Sequence, residues 1–170
     1  MSILTELRAP IFAVLGNHDH RHADAGAISR AMRKTGGRLL VNEWEVWQKG
    51  SKRVVIVGID DRVAGSLQPD RAFPPSQLLE GAKVVALSHA PLIFDRMPGR
   101  KFDLALAGHS HGGQIRLPFL GALLTPGGVG RYQKGLYDTE GGPLYVNPGI
   151  GTEWPPVRLF CRPEVTCIDL

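Results

Sequence analysis

Only two cysteines occur among the 170 residues, Cys161 and Cys167. No Cys-x-x-Cys and no paired Cys/His ligand set accompanies them, which argues against a disulfide-stapled secreted domain or a zinc module. Two reduced cysteines on strands, in a cytoplasmic protein, are the expectation. Long apolar runs are lacking too: none approaches the ~20 residues of a membrane span. The opening MSILTELRAPIFAVLGNHD has no basic flank before its apolar segment and no small-residue cleavage site, so it does not read as a signal peptide. Aromatics are scarce, and the basic clusters RAMRKTGGR and RLFCRP lack the run of aromatics that a single-strand binder interleaves. The first cluster reads more simply as a solvated helix face. A net charge of +4 fits an anionic partner but makes no independent case for nucleic acid. It leaves open a peripheral contact with acidic lipid headgroups.

What is present is an ordinary globular composition, 43% hydrophobic and 21% charged, at a length that supports one domain with a real core. Residues 11–15 read as a short buried strand ending in a glycine turn. ADAGAISRAMRKTGG follows as an amphipathic helix with Ile28, Ala31 and Met32 on one face and Gly36-Gly37 as its stop. RLLVN, EWEVWQK and KRVVIVGID are strand candidates, and PDRAFPPSQLLEGA is a proline-rich connection with at most a short helix at 76–79. KVVALSHAP and DLALAGHSHGGQ are two more buried strands, each with a turn at its end. Residues 118–151 are loop-rich around a short strand LYVNPG, and VRLFC and VTCIDL close the chain as strand-like pieces. With no repeat and no linker, this order predicts a mixed, layered α/β architecture.

Three of these apolar strands end in polar clusters that carry histidine. VLGNHD offers Asn17, His18 and Asp19; ALSHAP offers His89; LAGHSH offers His109 and His111. Alone, the His-x-His pair reads equally well as two exposed loop residues. Strand geometry continued past Gly108 would instead turn both rings to the same side. Ligands in open α/β sheets collect beyond the carboxyl ends of the strands, so three such ends point to one shared site. Imidazoles and an amide are metal or proton-transfer groups, and Asp19 is suited to orient a histidine.

These stretches resemble the calcineurin-type metallophosphoesterase superfamily. GNHD resembles its Gly-Asn-His-Asp/Glu motif, SHAP its isolated histidine and GHSHGGQ its Gly-His-x-His motif, in the family's order and across residues 10–170. GHSHGGQIRLP, GLY, YVNPGIGT and PVRLFCRPEVT are similar to a bacterial phosphodiesterase branch that includes UDP-diacylglucosamine pyrophosphatase-like, often membrane-associated, members. The resemblance implies a four-layer αββα sandwich with mixed sheets and two divalent ions at the strand ends. Asn17, His89 and His109 would bind one ion and His111 the other. His18 would protonate the leaving oxygen or stabilise charge, with Asp19 fixing its ring. Two ions ~3.5–4 Å apart can share a hydroxide and contact the phosphate. Mixed N/O ligands suit Mn, Fe or Zn without choosing among them. The implied substrate is a phosphorylated small molecule or a lipid-linked one.

Two family motifs are not found. The sequence has no Asp-x-His and no Gly-Asp dipeptide, and Gly58-Ile59-Asp60, the nearest approach, lies after GNHD rather than before it. Nine residues before Pro10 are too few for two strands and a crossover. The expectation is a single calcineurin-like phosphoesterase domain over 1–170, truncated at its N-terminus. It would hold at most one ion tightly and self-associate through an exposed sheet edge. Metal-dependent hydrolysis of a phosphodiester or pyrophosphate by a metal-bound hydroxide is the expected chemistry. The alternative is a non-catalytic or half-domain metal-binding protein that needs a partner chain or upstream segment. His20 and His22 are read as a polar loop, Asp60 and Asp61 as turn and capping residues, Asn147 as a turn residue, and Trp44 with Trp47 as sheet packing. Arg131 and Tyr132 could contact a phosphate or headgroup, though a loop role is the simpler reading.

Overall fold

β-Branched runs dictate the centre of the fold. In the computed structural model, which describes residues 2–170, KRVVIVGI forms β4 (Lys52–Ile59). Val55, Val57 and Ile59, at a spacing of two, are fully buried on one face. Burying each such side chain contributes about 1.5–3 kcal/mol. β3 (Glu43–Lys49) pairs antiparallel with β4 across a tight turn at Gly50, whose φ of +61° suits glycine. β5 (Lys83–Ser88), β6 (Leu104–Ala107) and β10 (Gly142–Val146) extend the sheet in parallel, and β9 (Gly135–Thr139) closes it antiparallel. The strand order is β3-β4-β5-β6-β10-β9.

One face of this six-stranded mixed sheet carries the main core. Val84, Ala86, Ala105, Leu144 and Val146 join the β4 residues beneath Phe73, Ile93, Phe94, Met97, Phe102 and Tyr132. The last group comes from the connections: α3 (Pro69–Ala72) and its C-cap, the 3-10 turn Pro91–Arg96, and the loops around it. On the other face Leu40 lies against Gly58, where an added Cβ would fall 2.1 Å from the Leu40 Cβ. Leu40 follows β2 (Arg38–Leu39), which pairs in parallel with β1 (Phe12–Ala13). Between them run α1 (Asn17–His22) and α2 (Ala25–Lys34). Asp24 caps α2 by accepting the N–H groups of Gly26 (2.9 Å) and Ala27 (3.1 Å), and Met32 is buried. The observed class is therefore mixed α/β with few helices, as expected.

Several local expectations need correction. The first strand is only two residues long, and α1 begins where a polar loop holding His20 and His22 was expected. The turn at 76–78 is 3-10. β9 lies inside the stretch read as loop, with only β10 anticipated there. Among the described residues, 157–170 form no ladder beyond one bridge from Leu159 to Ile115, so VRLFC and VTCIDL are not strands. Side chains hold this tail instead: Asn147 donates to Thr166 Oγ1 (2.7 Å), and the Tyr145 hydroxyl donates to Glu164. Cys161 is buried in this coil and Cys167 is exposed, both free. Trp44 packs on the core, as sheet packing requires; Trp47, an odd number of residues away on β3, lies on the other face of the sheet. No helix among the described residues is long and apolar enough to cross a membrane.

Candidate active site

The four parallel strands end in register. Ile59 pairs with Ser88, Ser88 with Ala107 and Ala107 with Val146. The next residue on each strand, Asp60, His89, Gly108 and Asn147, therefore stands on one line at the carboxyl edge of the sheet. The backbone ladder carries on one step further: Gly108 N–H donates to His89 O (3.1 Å) and Asn147 N–H to Ala107 O (2.8 Å).

Past β6 the backbone abandons strand geometry, contrary to the continued strand that would have aligned the two histidines. His109, His111 and Gln114 have φ of +63°, +49° and +51°, with Gly112 and Gly113 also left-handed. Each such non-glycine residue costs on the order of 1–3 kcal/mol and persists only where its surroundings over-determine it. Ser110 Oγ accepts the Gly112 N–H (3.0 Å), and Gly113 has no room for a side chain, its Cβ position lying 2.1 Å from Ala122 Cβ. Ala122 belongs to the β7 (Arg116–Leu117) and β8 (Gly121–Ala122) hairpin.

Despite that departure, Asn17, His18, His89, His109 and His111 line one cavity of about 270 Å³ together with Pro126 and Glu153. Asn17, the first residue of α1, is buried and presents Oδ1 to His89 Nε2 across 3.0 Å. The His89 and His109 rings lie 4.6 Å apart. Burial, aided by repulsion from His109, pushes the His89 pKa down to about 4, which leaves its imidazole neutral near pH 7. Burial likewise lowers His111, against the opposing pull of Glu153. His109 Nε2 donates to the Gly127 carbonyl (2.7 Å), which leaves Nδ1 as its lone-pair nitrogen.

The carboxylate beside His18 differs from the one the sequence suggested. Asp19 Oδ2 accepts the Gly16 N–H (2.8 Å) and so fixes the turn into α1. Glu153 Oε1 lies 3.1 Å from His18 Nε2 and 4.0 Å from His111 Nε2, joining the two rings. Gln114 places Glu153 by accepting its N–H (2.7 Å) and donating to the carbonyls of Glu153 (3.1 Å) and Pro155 (2.5 Å). Arg158 donates to the carbonyls of His111 (3.1 Å), Pro148 (2.7 Å) and Gly151 (2.5 Å), clamping the same loop onto the histidine turn. Glu153, Gln114 and Arg158 went unnoticed in the sequence. The one signal was the Gln that closes GHSHGGQ.

The residues set aside take other roles. Asp60 accepts from His20 Nε2 (2.7 Å), the Asp61 N–H (2.8 Å) and the Ser66 N–H (2.8 Å). Asp61 accepts the N–H groups of Val63 and Ala64, as turn duty requires. His22 stacks on His18, ring centroids 5.6 Å apart. Tyr132 is fully buried with its hydroxyl donating to Asp95, and Arg131 covers its ring at 4.9 Å, so Tyr132 is a core residue and not a phosphate contact. Asn147 accepts the Gly149 N–H (2.6 Å), as a turn residue does.

A strand-edge cavity holding one amide and several histidines from GNHD, SHAP and GHSH segments defines a class. The chain belongs to the calcineurin-like metallophosphoesterase superfamily. It is 33% identical over 172 residues to the metallophosphoesterase YkuE of Bacillus subtilis, covering 99% of this chain and 59% of YkuE. It is 34% identical over 164 residues to phosphodiesterase YaeI of Escherichia coli, 95% of this chain and 58% of YaeI. With the UDP-2,3-diacylglucosamine pyrophosphatase LpxG of Chlamydia trachomatis it shares 33% identity over 131 residues, 69% of this chain and 37% of LpxG. The chain thus spans less than two thirds of the length of each of these curated relatives. No family model and no solved structure matches it.

Proposed function

We propose that this chain is the downstream part of a metal-dependent phosphoesterase domain that hydrolyses a phosphodiester or pyrophosphate bond. The observation that carries this reading is the convergence of Asn17, His89 and His109 from three separate segments on one cavity. YaeI and LpxG, named for phosphodiester and pyrophosphate substrates, support the reaction type.

The donor set fits one divalent ion. Asn17 Oδ1, a ring nitrogen of His89 and the free His109 nitrogen are the atoms that would hold it, and a neutral His89 always keeps one lone-pair nitrogen. His111 is a single histidine donor for a second ion, with the Glu153 carboxylate beside it. When bound, such ions lower the pKa of a water and offset phosphate charge. His18, half-exposed with Nε2 held against Glu153, is placed to deliver a proton to a leaving oxygen. Asp19 acts at one remove by fixing the turn that presents both Asn17 and His18.

One observation favours the alternative of a non-catalytic or half-domain protein. Among the described residues, no three His, Cys, Asp or Glu side chains gather in a group that could hold a metal. Metal content measured alongside hydrolysis of an aryl phosphodiester decides between the two. The isolated chain should retain at most one ion, lost in His109→Ala, and turn over negligibly, because a one-histidine second site holds its ion weakly. Supplying a segment with the Asp-x-His and Gly-Asp motifs, covalently or as a separate polypeptide, should raise both readings. Metal content unchanged by His109→Ala would overturn the ligand assignment, and unchanged turnover after completion would favour the non-catalytic reading.

A further inference from the structure

A second cleft adjoins the histidine cavity. It has a volume of about 270 Å³ and shares His111, Pro126 and Glu153 with that cavity. Beyond those three residues its lining turns apolar, with Ile115, Leu123, Leu124, Trp154 and Pro155. Leu124 and Trp154 are 84% and 88% exposed, so neither serves the core. Large apolar side chains gathered beside a polar site form the kind of wall that receives the apolar part of a ligand. The main chain holds this wall in place: Leu123 N–H donates to Ile115 O (3.2 Å), and Gln114 fixes residues 153–155 through three hydrogen bonds. A cleft formed in advance spares its occupant the cost of ordering it.

Charge decides what can sit there. Among the described residues that line the cleft and the cavity there is no Lys or Arg, and Glu153 is the one carboxylate. The guanidinium that clamps the His111 turn has nothing to offer a phosphate. All five N–H groups of Arg158 are committed: to Gly151 O from Nε (3.1 Å) and Nη2 (2.5 Å), to Pro148 O (2.7 Å), to His111 O (3.1 Å) and to Cys161 Sγ (3.5 Å). Arg116 is likewise turned onto Gly112 O (2.8 Å) and Gln133 Oε1 (3.0 Å). The second phosphoryl group of a pyrophosphate carries its own negative charge. Placed in the cleft, it would meet the Glu153 carboxylate and no cation. A phosphodiester confines its charge to one phosphoryl group and leaves an uncharged ester group for the apolar wall.

Size and shape narrow that group further. The cleft falls below the ~300–1,000 Å³ of sites that enclose a drug-sized ligand, so it takes one compact group and not a pair of long chains. The Trp154 indole, Pro126 and Pro155 present flat faces, which suit a ring. We infer that this cleft is the subsite for one compact aromatic ester group of a phosphodiester, seated against Trp154 and Leu124, and that it disfavours pyrophosphates. The position of the phosphoryl group rests on the phosphoesterase reading, whereas the affinity of the cleft for the ring does not.

Calorimetry on the 170-residue chain tests it, without metal and with equimolar Zn²⁺, with the Trp154 indole N–H signal in NMR reporting where each probe lands. The probes are methyl 1-naphthyl phosphate, dimethyl phosphate and the symmetrical dimethyl pyrophosphate. The naphthyl diester should bind at least about tenfold more tightly than dimethyl phosphate and shift the Trp154 signal. The pyrophosphate should bind more weakly than the naphthyl diester, and Glu153→Gln should narrow that gap. A Leu124→Ser/Trp154→Ser double variant should lose the naphthyl preference while keeping the thermal midpoint of the parent, since both side chains are exposed. Leu124→Ser alone should lose part of it with the indole reporter still present. His109→Ala should remove the gain that zinc gives every probe and leave the naphthyl shift at Trp154. If zinc adds nothing to any probe while the naphthyl preference stands, the phosphoesterase reading fails and the cleft assignment survives. Equal binding of the naphthyl and dimethyl esters, or a preference that outlasts the double substitution, would overturn the inference, as would tighter binding of the pyrophosphate. Methyl n-decyl phosphate binding more tightly than the naphthyl ester would give the cleft to a chain and sink the aromatic assignment.

Discussion

Gly16→Ala should unseat His89. Gly16 has a φ of −106°, an ordinary value for any residue, so backbone strain does not enter. The added Cβ would stand 2.8 Å from both Cε1 and Nδ1 of His89 and 3.0 Å from its Cγ. Ordinary contact begins at 3.4 Å, so the ring must give way by about 0.6 Å. It has little room to do so, with Asn17 Oδ1 at 3.0 Å and the His109 ring at 4.6 Å. Overpacking of this kind costs roughly 1–3 kcal/mol, which lowers the midpoint of a chain this size by about 3–9 °C. The Asn17–His89 pair would also lose its spacing, and Mn²⁺ or Zn²⁺ affinity measured by calorimetry should fall at least about tenfold. Gly151→Ala is the control, because its Cβ position meets open space and should leave both readings unchanged. If Gly16→Ala matched the parent in midpoint and metal affinity, the ring would not be pinned as described and Gly16 would owe its place to something else.

Gln114→Ala removes three hydrogen bonds to the backbone of residues 153–155 and should cost about 1.5–4.5 kcal/mol, with faster amide exchange at Glu153 as its local signature. Asp103 is tuned by burial, which opposes its ionisation, and by Lys83 (2.7 Å) and the Val84 N–H (2.8 Å), which outweigh burial and hold the carboxyl below its usual range. Because the folded value is the lower one, the stabilisation is complete above the unfolded carboxyl value of about 3.9 and disappears as pH falls through the folded one. Urea unfolding at pH 7 and pH 3 should therefore show Asp103→Asn weaker than the parent at the first pH and by a smaller margin at the second. In a completed domain His18→Ala should keep its metal yet lose roughly 10²–10⁴-fold in rate on poor leaving groups and less on an aryl ester. Equal loss on both substrates would remove its assignment as the acid.

The strands were legible where composition and alternation act within a few residues. EWEVWQK is β3 at both ends, and KVVALS and LALA announce two buried strands that stop at histidines. The tail misled because VTCIDL has strand chemistry but no neighbouring strand to pair with, and a ladder needs two partners. β9 escaped notice because GLYDT alternates weakly and is recognised chiefly by the hairpin it makes with β10. Asn17, His89, His109 and His111 could be grouped from their place after apolar runs. Glu153 could not. Its position beside His18 is set by Gln114, thirty-nine residues earlier in the chain, and nothing local marks that loop as part of the cavity. The strained turn from His109 to Gln114 was half visible, since paired glycines signal a sharp reversal but cannot say that their neighbours share the strain.

The common finishing line of β4, β5, β6 and β10 makes the carboxyl edge an indexed origin from which four loops are measured. Each loop can lengthen, shorten or exchange its side chains without moving that origin, because hydrogen bonds behind it fix the count. An inserted residue inside a strand has the opposite effect. One extra residue before Ser88 would either bulge or turn His89 to the far face of the sheet, emptying its place beside Asn17. Variation in what the cavity recognises is therefore cheap in the loops and forbidden in the ladder, so new specificities in this scaffold should arise by loop exchange beyond residues 59, 88, 107 and 146.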